Sequence, residues 1–249
     1  MPENQLNKVA AITFAFWVMK ICATTLGETA GDLLSMTLNV GYAASSLILI
    51  GIFLATLVGQ LTAKSYHPLL YWSVILSTST AGTTMSDYID RSLGMGYVAG
   101  SAMLLTLLLA ILALWRANVG TLSVANVKSL KVESFYWAAI LVSNTLGTAL
   151  GDFLADSSGL GFAGGALLIA TLITLIVLAY FFTSISRTAL FWIAFVLTRP
   201  LGATVGDLLT KPLENGGLGF GTVGSSAVLL VILIASIVIV SRRKASATT

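Results

Sequence analysis

Four aspartates recurring at one spacing are the most chemically loaded feature of this 249-residue chain. Trp17, Trp72, Trp137 and Trp192 each follow a Phe or Tyr, and fifteen residues after each stands Asp32, Asp87, Asp152 or Asp207. Gly27, Gly82, Gly147 and Gly202 come ten residues after the Trp, and Gly31, Ser86, Gly151 and Gly206 fourteen after it. Positions seven, four and three before the Asp share its helical face. In the first copy these are Thr25, Glu28 and Thr29; in the second Thr80, Thr83 and Thr84; in the third Thr145 and Thr148. The fourth has Pro200, Ala203 and Thr204 there. Carboxylates and hydroxyls are hard oxygen donors, which suit Mg²⁺, Mn²⁺, Ca²⁺, Na⁺ or a proton better than copper or zinc. The metal candidates are Asp32, Asp87, Asp152, Asp207 and Glu28. Thr25, Thr29, Thr83, Thr84, Thr148, Lys20 and Arg199 complete the candidate ion-binding set.

The elements that must position these groups are membrane helices. Hydrophobic residues make up 57% of the chain and charged residues 9%, too apolar for a disordered chain and too poor in charge to cover a soluble surface. Stretches free of Asp, Glu, Lys and Arg run from Ser35 to Ala63, Ser65 to Ser86, Ser92 to Trp115, Ser157 to Ser186 and Asn215 to Ser241. Crossing a bilayer takes ~20 residues. The expected fold is an all-α membrane protein of eight transmembrane helices, at about 9–31, 41–62, 68–87, 96–115, 134–153, 161–182, 188–209 and 219–240. A turn follows each Asp: N-V-G-Y at Asn39, G-M-G-Y at Gly94, and G-L-G-F at Gly159 and Gly217, the last delayed by three residues. Each repeat therefore holds two helices, and all four start on the same side, as parallel repeats with pseudo-symmetry about the membrane normal. Successive Trp residues are 55, 65 and 55 apart, which divides the chain into a first half (1–115), a linker (116–133) and a second half (134–249).

Loops on the N-terminal side carry Lys8, Lys64, Arg116, Lys128, Lys131, Arg187, Arg242, Arg243 and Lys244, and the opposite loops carry only Arg91 and Lys211. The positive-inside rule places both termini and the linker in the cytoplasm. The polar start, Met1 to Lys8, leads into a segment with Lys20 and Glu28, read as a retained helix rather than a signal peptide. Through its four Trp residues and Gly–Asp blocks the whole chain resembles a family of bacterial multi-pass inner-membrane proteins built from four tandem two-helix repeats. That resemblance implies the fold and the membrane, and no catalytic residue.

A carboxylate at the centre of a membrane helix costs ~2.5–3.5 kcal/mol, so four matched aspartates should face a shared polar interior or end their helices at the interface. The G-x(3)-G pairs read as close helix packing and the Trp residues as interface anchors. His67 beside Pro68 reads as a loop residue opening the third helix, and Asp90, Asp156 and Glu214 as solvated loop charges. Lys20, Glu28, Arg199 and Pro200 each break the repeat. Pro200 should kink its helix and free a carbonyl near residue 196. Five acids against Lys20 and Arg199 leave three negative charges in excess, which favours cations. One cysteine, Cys22, and one histidine exclude an intrachain disulfide and a multi-histidine site. No nucleotide-binding loop occurs. The leading expectation is a secondary transporter of a hard divalent cation, proton-coupled or not, with no cofactor. Its partners would be the bilayer and the cation or proton, not nucleic acid, and a homo-oligomer is left open. The alternatives are an organic-anion carrier using Lys20 and Arg199, or a non-transporting scaffold or sensor. A membrane aspartyl protease is disfavoured because the G-x-G-D pattern is absent.

Overall fold

The computed structural model describes residues 8–124, 127 and 129–246 (side chains as far as Arg243), so Lys128 lies outside the described residues. It contains eight α-helices: α1 (Phe14–Asp32), α2 (Tyr42–Thr62), α3 (Pro68–Asp87), α4 (Gly96–Val119), α5 (Leu130–Asp152), α6 (Gly161–Phe182), α7 (Arg187–Thr210) and α8 (Thr222–Ser246). The starts of α1, α3, α5 and α7 carry their own side-chain caps. Thr13, Ser129 and Ser186 side chains accept from Phe16, Val132 and Ala189 N–H groups, and His67 accepts from Leu70 N–H with Pro68 at the first turn. Leu130 starts α5 earlier and Val119 ends α4 later than the charge pattern suggests, which shortens the connection between the halves. After their aspartates, α1, α3 and α5 widen into single π turns at Leu33–Thr37, Tyr88–Ser92 and Phe153–Ser157. The fourth repeat instead uses its three extra residues in a 3₁₀ turn, Leu213–Asn215. The third residue of each turn motif, Gly41, Gly96, Gly161 or Gly219, adopts a positive φ, 81° at Gly41, which is why glycine recurs there.

Six of the eight helices are long and apolar enough to cross a membrane. The other two are α1, which carries Lys20, Glu28 and Asp32, and α3, whose second half runs S-T-S-T-A-G-T-T-M-S-D. The arrangement explains their polarity. Helices α1, α3, α5 and α7 pack in a closed ring, α1 on α3, α3 on α5, α5 on α7 and α7 on α1. The even helices lie outside it: α2 on α3, α4 on α5, α6 on α7 and α8 on α1. Each repeat thus lays its second helix on the next repeat's first helix, and α8 closes the circle. Leu47, Val58, Leu109, Leu167 and Val231 project outward from the even helices, while α3 buries most of its hydroxyls.

The repeated glycines set how closely the inner helices approach. A Cβ on Gly27 would lie 2.5 Å from Ser79 Cβ, one on Gly82 3.0 Å from the Asn144 backbone, one on Gly147 2.4 Å from Arg199 Cβ and one on Gly202 2.7 Å from the Thr24 backbone. Each contact joins the same pair of repeat positions, as when i±4 rows of two helices interdigitate. The Trp end is closed by aromatic packing. Trp72, Trp137 and Trp192 are buried together with Trp115, and Tyr71 and Tyr136 hydroxyls hydrogen-bond at 2.7 Å. The repeat tryptophans are therefore packing residues rather than interface anchors. Only Trp17 is half-exposed. Trp192 Nε1 donates to Leu122 O at 3.0 Å, which folds the linker beneath this end. Lys8 pairs there with buried Glu133 at 2.6 Å, and Gln60 Nε2 donates to the same carboxylate at 3.1 Å.

Gly202→Leu should destabilise the detergent-solubilised protein by ~3 kcal/mol, because the new side chain meets α1 backbone. Gly51→Ala on the outer face of α2, where nothing lies within 4 Å, should leave the melting temperature unchanged or higher. Thermal unfolding of both variants checks this.

Candidate functional site

Every fourth position counted from the residue before each Trp gives a tier of four residues, one per inner helix. The first tier is Phe16, Tyr71, Tyr136 and Phe191, and the second Lys20, Ile75, Ile140 and Phe195. The third is Thr24, Ser79, Asn144 and Arg199, the fourth Glu28, Thr83, Thr148 and Ala203, and the last the four aspartates. All twenty side chains are buried. Polarity rises along the stack, from aromatic through aliphatic with one lysine to hydroxyl, amide and charge.

Arg199 binds the middle together. Its Nη2 lies 2.7 Å from Glu28 Oε2, 2.5 Å from Thr83 Oγ1 and 2.6 Å from Thr148 Oγ1. One guanidinium on α7 therefore engages the fourth-tier residue of each of the other three inner helices. The fourth-tier residue of α7 itself is Ala203, whose small side chain leaves room for an arginine rising from one turn below. Arg199 is fully buried, and its Nε and Nη1 have no protein partner. Lys20, also fully buried, donates to Asn144 Oδ1 at 3.3 Å and sits 4.2 Å from the centre of the Phe195 ring. Asn144 in turn donates to Thr78 Oγ1 at 2.9 Å.

The aspartates form two bridged pairs. Arg91 Nε lies 3.0 Å from Asp87 Oδ1 and its Nη2 3.2 Å from Asp152 Oδ2, with exposed Asp156 at 3.7 Å. Lys211 Nζ lies 2.7 Å from Asp32 Oδ2 and 3.1 Å from Asp207 Oδ1. Burial works against the charge on Lys211, but Asp207 and Asp32 outweigh it and hold the ammonium above the ordinary lysine range. Sequence reasoning assigned Arg91 and Lys211 to loops. The signal was in the repeat itself: nineteen residues after the Trp stand Met36, Arg91, Asp156 and Lys211, a base in every second copy. Counting that position in every copy, Asp156 included, corrects the charge balance to six acids against four bases, an excess of two rather than three. The aspartate side chains turn to these cations, not to the glycine turns.

The other expected residues separate. Glu28, Asp32 and Asp207 each offer a carboxylate oxygen within 4.8 Å of the others, whereas Asp87 and Asp152 fall to the Arg91 pair. Thr83 and Thr148 reach the centre. Thr25 and Thr84 donate to the carbonyls of Ile21 and Ala81 in their own helices, and Thr29 donates to Leu26 O while accepting from Ser226 on α8. Pro200 lies inside α7 without ending it, and the carbonyl used nearby is that of Thr198, which accepts from Thr24 at 3.1 Å. Asp90 is a buried residue accepting from Ser86 at 3.2 Å, not a solvated loop charge, whereas Asp156 and Glu214 are exposed.

A family model for a repeat of unknown function, DUF347, matches residues 15–66, 70–121, 135–186 and 190–246. The chain belongs to this family. No curated protein and no solved structure matches it. Each DUF347 repeat thus contributes one inner helix carrying the Trp and the Asp, and one outer helix that covers its neighbour. The family defines the repeat; the residues unique to single copies (Lys20, Glu28, Arg199 and Ala203) define what this member's ring encloses.

Arg91→Gln should cost ~3–5 kcal/mol, because it leaves Asp87 and Asp152 buried without a counter-charge. Adding Asp152→Asn should restore a large part of that loss, which a double-mutant cycle of unfolding free energies in detergent would measure.

Proposed function

We propose that this chain is a membrane carrier for a small hard cation such as Mn²⁺ or Mg²⁺, loaded at Glu28, Asp32 and Asp207. The observation that carries the reading is the convergence of these three buried carboxylates at the top of a polar stack enclosed by four helices. A scaffold gains nothing from such a stack, since a buried ion network is commonly less stabilising than apolar packing of the same volume. In the state described, Arg199 and Lys211 occupy the carboxylates. A metal dication would replace these tethered charges, so that loading and ion-pair release are one event. Their flexible stems let Lys211 swing toward solvent and Arg199 withdraw along the stack. In this reading Asp87, Asp152 and Arg91 hold the far side of the ring.

The reading includes the membrane placement. All eight helices span, with the inner four, α1 and α3 included, shielded from lipid by the outer four, so that their polarity is no obstacle. The four repeats follow an approximate fourfold axis along the membrane normal. The Trp end faces the cytoplasm, where most Lys and Arg of the connecting segments gather, and the resemblance to inner-membrane proteins fits a bacterial plasma membrane. No catalytic step is part of the proposal: each aspartate pair shares a cation rather than a proton, unlike an acid–base dyad. The anion reading is weakened by Arg199 being committed to Glu28.

Purified protein in liposomes should take up manganese, followed by quenching of a trapped fluorescent chelator. Asp32→Asn and Asp207→Asn should each slow uptake by about tenfold or more, as one ligand of three loses its charge. Thr171→Ala on outer helix α6, where the hydroxyl bonds only its own helix, should not. Wild-type rates in both Asn variants would overturn the assignment.

A further inference from the structure

We propose that Lys20 carries the proton of an exchange in which metal binding at Glu28, Asp32 and Asp207 expels one proton, making the carrier a cation–proton antiporter; this rests on the carrier reading above. The argument starts from what Lys20 lacks. The other three bases of the stack touch carboxylates, while Lys20 is held by the Asn144 amide oxygen and the face of Phe195. The ionisable or charged groups on the inner helices around it are Arg199 on α7 and, in the tier below, Tyr71 on α3 and Tyr136 on α5, which hydrogen-bond each other. Glu28 lies two turns up its own helix, beyond Arg199. From α8, only Arg242, Arg243 and Lys244 at the far C-terminal end carry charge.

The second step is where Arg199 can go. A metal on Glu28 displaces the guanidinium, whose Nε and Nη1 lack partners as it stands. Its own tier holds two hydroxyls, Thr24 Oγ1 and the unpartnered Ser79 Oγ, and one stronger acceptor, the amide oxygen Asn144 Oδ1. The latter is the oxygen that Lys20 holds. Two positive charges would then share one amide in a medium of low dielectric, where like charges a few ångströms apart repel by several kcal/mol. The state is accessible once the Lys20 ammonium gives its proton to water on the side from which the metal came, leaving a neutral amine. Release of the metal on the opposite side returns Arg199 to Glu28, and Lys20 takes a proton from that side. No electron transfer or further reactant enters the cycle.

The test is the ratio of protons moved to metal moved, which does not depend on absolute rate. In liposomes holding both a pH dye and a metal-quenched dye, manganese entry through the wild type should alkalinise the lumen, and an acidic lumen should accelerate entry. In detergent, adding manganese to weakly buffered protein should release protons in proportion to metal bound. Lys20→Met should lose both signals per metal bound, and Lys20→Gln, which keeps an N–H donor but no titratable proton, should lose them equally. Wild-type proton-to-metal ratios in either variant would overturn this inference and leave the carrier standing. A wild-type protein that neither binds nor moves manganese would overturn both.

Discussion

Charge inside an apolar bundle must be matched nearby, and that constraint organises this molecule. Glu28, the four repeat aspartates, Lys20, Arg91, Arg199 and Lys211 lie along the ring, and all of these but Lys20 meet a partner of opposite sign. None of the central pairs is an exposed surface bridge of little consequence. Arg91, Arg199 and Lys211 each join two or more helices, so the positions of the helices and the positions of the charges cannot be specified separately. Arg199 is the extreme case: one side chain ties α7 to α1, α3 and α5 at a single level.

The polar ties also divide the ring unevenly. Helices α3 and α5 are joined at three levels, through Tyr71 and Tyr136, Thr78 and Asn144, and the Arg91 bridge. Helices α1 and α7 are joined by Thr24 to the Thr198 carbonyl and by the Lys211 bridge. Between these two pairs the links run from Arg199 to Thr83 and Thr148 and from Thr83 to Glu28, with Lys20 to Asn144 below. The outer helices follow the same division, α2 and α4 on one pair, α6 and α8 on the other. This grouping differs from the two halves suggested by the linker. One unit is α2 to α5; the other joins α6, α7 and α8 to α1. The Arg199–Glu28 contact lies within the second unit, and the same guanidinium crosses the boundary to Thr83 and Thr148 of the first.

Much of the fold was legible because repetition multiplies a weak signal. One Gly ten residues after a Trp means little; four at the same spacing imply four equivalent contacts, and the glycines do pack against equivalent positions of the next helix. The placement of the outer helices was not legible, since a Leu-rich helix carries no mark of which neighbour it covers. The site was half legible. The aspartates, Glu28 and Arg199 stood out by type, but reading i±3 and i±4 neighbours as one face put Thr25, Thr29 and Thr84 beside Thr83, when the ring turns only one of those rows inward. Arg91 and Lys211 were missed because each follows its helix and was read as a loop residue. In space the chain turns there without leaving the bundle, and a long side chain reaches back four residues to its own Asp and across to another.

The departures from the repeat gather at one seam. Lys20 and Glu28 stand on α1; Arg199, Pro200 and Ala203 stand on α7. These are the first and last inner helices, adjacent only because α7 packs on α1 to close the ring. Along α3 and α5 the same tiers hold hydroxyls, an amide and aliphatic side chains up to the aspartates. An assembly of identical repeats would distribute its charges evenly, and any ion on its axis would meet the same groups on four sides. Replacing Thr-type residues with Glu28 and Arg199 on facing helices, and Thr148-type bulk with Ala203, converts one of four equivalent seams into a place where acid and base can exchange partners. The neutral helices opposite then serve as a fixed wall of hydroxyls, which satisfies Arg199 without competing for its charge.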